Sequence, residues 1–320
     1  MNEIAVEAEL GLWVEAAGGS ATLINHSENH TFRVLRPDGL VTILRLHRPG
    51  YQSAESISSE LQWLAALRRD TGLPVPRPLV GRDGAALQTV TLDGVARHAV
   101  LFAHEPGHEP TPHDDLDVLF ETLGRFAATA HEHATRFVRP AGFTRQVWTA
   151  GGILDADGLW GDWRRAPHVE GAMAHRLTAL DARLRRDLAA YGSGPDRFGL
   201  IHADMRLANL LVDGDHVTLI DFDDCGFCWF MYDFAAAISF FEGSPKIPAL
   251  RQRWLDGYLS IRPLAAEHIA MLDAMVLLRR MALLAWIGSH GETPLAQAHA
   301  SDFAAVTADL AAPYLARSGR

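Results

Sequence analysis

Residues 200–223 read Leu200-Ile201-His202-Ala203-Asp204-Met205-Arg206-Leu207-Ala208-Asn209-Leu210-Leu211-Val212-Asp213-Gly214-Asp215-His216-Val217-Thr218-Leu219-Ile220-Asp221-Phe222-Asp223. Two short apolar runs flank Asp213-Gly214-Asp215, the composition of a hairpin turn. Asp204 and Asn209 then lie on one loop ahead of the hairpin, and Asp221 ends its second strand. A tight hairpin brings that strand end back beside the loop, so three oxygen-bearing side chains converge. Carboxylate and amide oxygens suit a hard cation such as magnesium, which holds phosphate oxygens. A remaining carboxylate can accept the proton of a hydroxyl nucleophile.

Working outward, the first hundred residues alternate like strands around one helix. Strand patterns cover 21–24, 31–35 and 41–46, with a polar turn at 25–29 and Pro37-Asp38-Gly39 between the later two. Residues 53–69 carry Ile57, Leu61, Leu64 and Leu67 at helical spacing, with Pro74 and Pro76 beyond the end. Strand patterns at 86–91 and 97–102 follow, then a polar connector at 103–112. From there the signal is helical, at 116–137, 172–191, 250–259 and 267–287, interrupted by the β-rich stretch 200–219. The expected division is a β-rich lobe at 1–102, a hinge at 103–112 and a helical lobe at 113–320.

His202-Ala203-Asp204 through Asn209, followed by Asp221-Phe222-Asp223, resembles the catalytic and metal-binding loops of protein-kinase-like phosphotransferases. The resemblance is to the aminoglycoside phosphotransferase/choline kinase superfamily, nearest to type II homoserine kinases and the bacterial stress-response kinase group. Leu46-His47-Arg48-Pro49-Gly50-Tyr51, Ser59-Glu60-Leu61-Gln62-Trp63-Leu64 and Tyr232-Asp233-Phe234-Ala235 add to it. It implies an α+β, protein-kinase-like bilobal fold and an ATP- and Mg2+-dependent phosphotransferase acting on the hydroxyl of a small metabolite. The alternatives are a stress-response serine/threonine protein kinase and a nucleotide-binding pseudokinase. By resemblance, Asp204 is the catalytic base, Asn209 and Asp221 hold magnesium, and Asp223 reaches a second metal or the substrate. Arg45 stands where the family clamps phosphate with lysine, with Glu60 as its partner. Ser27 and Asn29 lie in the phosphate loop, which has no glycine here, and the hinge Phe102, Ala103 and His104 reads adenine. His202 and Asp233 are expected to prop the loop rather than react.

Composition narrows the alternatives. With 29 basic and 39 acidic residues the formal charge is -10, which disfavours nucleic-acid partners. Lys246 is the only lysine, so Schiff-base chemistry has one candidate, and no Walker A loop exists. The two cysteines, Cys225 and Cys228, lack a second metal-binding pair and read as inert thiols of a reducing, cytoplasmic compartment. The stretch 269–287 is apolar but carries Asp273, Arg279 and Arg280, so no membrane span is expected. Arg279 and Arg280 either line an anionic substrate pocket or face solvent. His131-Glu132-His133 sets its rings on different helix faces, unlike a zinc motif.

Overall fold

Ser53 opens the helix of the first compact unit because its hydroxyl accepts the Ser56 N–H at 3.2 Å. Gly72, with φ of 69°, closes it in a left-handed conformation that glycine adopts without strain. This computed structural model describes residues 3–26 and 29–317. Its first unit comprises Met1–Glu109, Val138–Arg145 and Leu210–Asp223. The elements are α1 (Glu3–Glu9), β1 (Ser20–His26), β2 (His30–Leu35), β3 (Val41–Leu46), α2 (Ala54–Thr71), β4 (Pro78–Leu79), β5 (Leu87–Leu92) and β6 (Val95–Ala103).

The six strands form one antiparallel sheet in the order β1-β2-β3-β6-β4, with β5 also on β6. Leu44 and Leu46 of β3 face a core with Phe32, Val34, Val90 and Leu101, closed by Val6, Leu10 and Trp13. β1 runs further than the pattern indicated: a bulge between Leu23 and Asn25 lets Asn25 and His26 keep pairing with β2. The expected hairpin forms from Leu210–Asp213 and His216–Leu219. The Leu219 N–H donates to the Pro74 carbonyl, and His108 and Val212 exchange backbone hydrogen bonds.

The second unit comprises Pro110–Phe137, Gln146–Asn209 and Asp224–Arg320. Its long helices are Asp117–Arg136, Gly171–Tyr191, Ile247–Leu259, Leu272–Ser289 and Phe303–Ala316. The helices Asp117–Arg136 and Ile247–Leu259 touch backbone to backbone through Gly124 and Gly257. A Cβ built on Gly257 would lie 1.9 Å from the Glu121 carbonyl oxygen. The helix expected over 267–287 is two helices: Met271 N–H bonds the His268 carbonyl three residues back, closing Ala266–Ala270 before Leu272–Ser289 begins. A strand the pattern did not reveal, Gly226–Trp229, pairs antiparallel with Phe198–Ile201. Among the described residues no helix is long and apolar enough to cross a membrane.

Candidate active site

In the second unit the strand Phe198–Ile201 delivers the His202-Ala203-Asp204 loop. Ala203 has φ of 67°, a left-handed conformation that costs an alanine about 1 kcal/mol or more. Asp233, fully buried, holds that bend by accepting the Ala203 N–H at 2.8 Å and the His202 N–H at 3.3 Å. Asp233 is itself bonded to His131 Nε2 at 3.0 Å, and His131 Nδ1 meets the Tyr258 hydroxyl at 2.9 Å. His131 therefore supplies a brace, and Asp233 caps the loop as expected. His202 is buried, and its Nδ1 accepts the Asp204 N–H.

Asp204 ends this brace with both carboxylate oxygens engaged. Oδ2 accepts from Asn209 Nδ2 at 2.7 Å and from Arg206 Nε at 3.2 Å, and Oδ1 accepts from Arg279 Nη2. Burial pushes the Asp204 carboxyl up, but the Arg279 and Arg206 guanidinium groups outweigh it and hold the group below the ordinary carboxylate value. Asn209 Nδ2 also donates to the Asp204 carbonyl at 2.8 Å, which leaves its amide oxygen as the atom able to meet a cation.

In the first unit β3 places Arg45 opposite Thr31 and Val100, on the face away from Leu44 and Leu46. Arg45 Nη2 binds Glu60 of α2 at 2.6 Å, both groups being buried. Its Nη1 reaches Asp221 Oδ1 at 3.4 Å, and its Nε has no partner. Phe102 lies with its ring centroid 5.2 Å from the guanidinium carbon. Asp221 combines φ of 60° with a carboxylate that is 48% exposed.

Asp223 differs: it is buried, and Oδ2 accepts from Asn29 Nδ2 at 2.8 Å. His47 Nδ1 stands 3.7 Å from Asp223 Oδ1. Asn29 also accepts the Arg48 N–H, so its side chain ties the β1–β2 loop to Asp223. Ser27 lies outside the described residues. The Ala103 N–H donates to the Arg77 carbonyl, while His104 is exposed.

These groups suit a charged ligand. Arg45 Nε, Glu60 Oε2 and Asp223 Oδ1 are buried without partners, an uncommon concentration of unmet polar atoms. Guanidinium N–H groups match phosphate, and the exposed Asp221 carboxylate matches a hard divalent cation.

Four residues carry more than the sequence reading gave them. Arg145 Nη1 binds the Ser56 carbonyl and hydroxyl, and its Nη2 binds the Asp223 carbonyl, so residues 138–145 strap the Asp221–Asp223 loop to α2. His47 was quoted only as part of a resemblance. Arg279 and Arg280 correct the expectation of a pocket lining or a solvent face: both are 2% exposed. Arg279 binds Asp204, and Arg280 binds Glu242 at 2.6 Å together with Thr307. Two adjacent arginines in an otherwise apolar helix were the available signal, because a buried arginine needs an acid or carbonyl partner.

The family comparison identifies the class of protein as a phosphotransferase. Residues 20–268 match the model of the phosphotransferase enzyme family, and the chain belongs to that family. A solved structure of a microcompartment-associated aminopropanol kinase is similar at 43% identity and a TM-score of 0.90, covering 98% of each chain. The homoserine kinase of Methylobacillus flagellatus is 36% identical over 78% of this chain and 74% of that protein. Amicoumacin kinase of Bacillus subtilis (strain 168) is 26% identical over 69% of this chain, and the match spans 63% of that relative's length.

Proposed function

We propose that the protein is an ATP-dependent kinase that moves the γ-phosphate to the hydroxyl of a small amino alcohol. The observation that carries the reading is the Asp204–Asn209 pair, joined at 2.7 Å on a loop whose backbone is locked in a left-handed bend. Asp204 accepts the hydroxyl hydrogen bond and aims the oxygen at phosphorus. Arg45 holds phosphate oxygens through the N–H groups that Glu60 leaves over, while Glu60 fixes the guanidinium. Asn209 and Asp221 would hold magnesium, which neutralises charge on the transferring phosphate. Asn29 and His47 act through Asp223, and residues 102–104 meet the adenine. The amino-alcohol class rests on the 43% identity to the aminopropanol kinase along almost the whole chain.

A panel assay tests it, comparing kcat/KM for aminopropanol, homoserine, choline and an aminoglycoside with ATP. Aminopropanol is expected to give the highest value. A homoserine value above it would overturn the acceptor class. ATP consumption no greater than in an Asp204→Asn control, with every acceptor, would overturn the kinase itself.

A further inference from the structure

We infer that Arg279 is a positioning residue: it decides which lone pair of Asp204 an acceptor hydroxyl can use. The inference rests on the kinase reading of Asp204 above. An ionised carboxylate has roughly four lone-pair positions. Asp204 Oδ2 already accepts two hydrogen bonds, from Asn209 and Arg206, and Oδ1 accepts one from Arg279. One position remains, on the oxygen that Arg279 holds. The direction from which a hydroxyl is received is therefore set by a guanidinium on a helix 75 residues further along the chain.

That guanidinium has no freedom of its own. Nε donates to the Ser239 hydroxyl at 3.1 Å and Nη1 to the Ala203 carbonyl at 3.2 Å. The Trp160 ring centroid lies 5.1 Å from its central carbon and that of Tyr232 5.8 Å. One planar fork thus binds both the carbonyl of the left-handed residue and the carboxylate that follows it. A lysine is a point charge and cannot hold both at fixed angles. The neighbouring Arg280 is an internal control, because it is equally buried but bonds only Glu242, Thr307 and the Phe303 carbonyl.

The test is a double-mutant cycle on the full chain, read with aminopropanol and, in parallel, with water as the acceptor of Mg-ATP phosphate. Arg279→Lys is expected to lower kcat between about 10- and 100-fold, the loss typical of a misplaced reacting group, with the KM for ATP within about twofold. Arg280→Lys lowers the melting temperature but keeps kcat. The double variant Asp204→Asn/Arg279→Lys turns over no more slowly than Asp204→Asn alone, since Arg279 acts through that carboxylate. Losses that multiply, or an Arg279→Lys enzyme with kcat within twofold of wild type, would overturn the inference. A wild-type rate in Asp204→Asn would instead overturn the base reading, and the inference with it.

Discussion

Arg45 in the first unit and Arg279 in the second are both buried arginines bound to acids, yet they are finished to different degrees. Arg279 commits all three guanidinium nitrogens, to Ser239, Ala203 and Asp204. Arg45 commits one firmly, to Glu60, reaches Asp221 only at 3.4 Å and leaves Nε unpartnered. A buried donor without a partner costs roughly 1–3 kcal/mol, a cost that a phosphate oxygen on Arg45 would relieve under the proposed function. Arg279 is a brace, and under the proposed function Arg45 is a receptor. The same contrast separates their acids: Asp204 accepts three hydrogen bonds and is 13% exposed, whereas Asp221 is 48% exposed.

The largest expected effect breaks the comparison at its braced end. Asp204→Asn keeps the shape of the brace but removes the charge, and kcat should fall between about 10²- and 10⁴-fold while Mg-ATP still binds. An unchanged kcat would leave the brace without a catalytic purpose. At the receptor end, Arg45→Ala should raise the KM for ATP at least about tenfold, with Arg45→Lys intermediate, because lysine supplies charge without the fork. A KM within twofold in Arg45→Ala would make Arg45 a second structural brace. Gly257→Ala separates scaffold from both: its Cβ meets the Glu121 carbonyl oxygen, so about 1–3 kcal/mol of stability should be lost. The fraction that remains folded should keep the KM for ATP, as calorimetry followed by kinetics would check.

How much of this was legible depended on sequence distance. Asp204, Asn209 and Asp221 fall within 18 consecutive residues, and hairpin chemistry alone gave the expectation that they converge. Arg45 and Glu60 sit on adjacent elements, which the strand and helix patterns located. The Arg279–Asp204 and Arg145–Asp223 contacts join residues 75 and 78 positions apart, and no periodicity says which helix meets which loop. Pattern also ranks elements by apolar spacing. Gly226–Trp229 was passed over because its Cys-Gly-Phe-Cys core carries no alternation, although backbone pairing with Phe198–Ile201 makes it a strand.

The smallest effect concerns one neutral histidine in each unit. Burial, with the charge of Arg45 next, pushes the His47 imidazole down to about 3, and burial likewise lowers His131. An unfolded chain protonates these rings near the ordinary value of about 6.5, while the folded chain does not, so the unfolded state binds more protons below that pH. Their contribution to stability is therefore complete above about pH 6.5 and is lost progressively as the pH falls toward the folded values. Each ring adds at most one proton, or about 1.4 kcal/mol per pH unit, to the slope. The groups facing His47 are Asp223, which favours its charged form, and Arg45, His98 and Arg145, which oppose it. His47 makes no hydrogen bond through either ring nitrogen, so His47→Gln should cost little at pH 7.5. Between pH 7 and 5, urea midpoints should fall less steeply in that variant than in the wild-type protein. Equal slopes would mean that His47 is protonated in the folded receptor and pairs with Asp223 as a cation. Asp223 would then be neutralised by a second positive group, and the contrast between the two arginine sites would narrow to Arg45 alone.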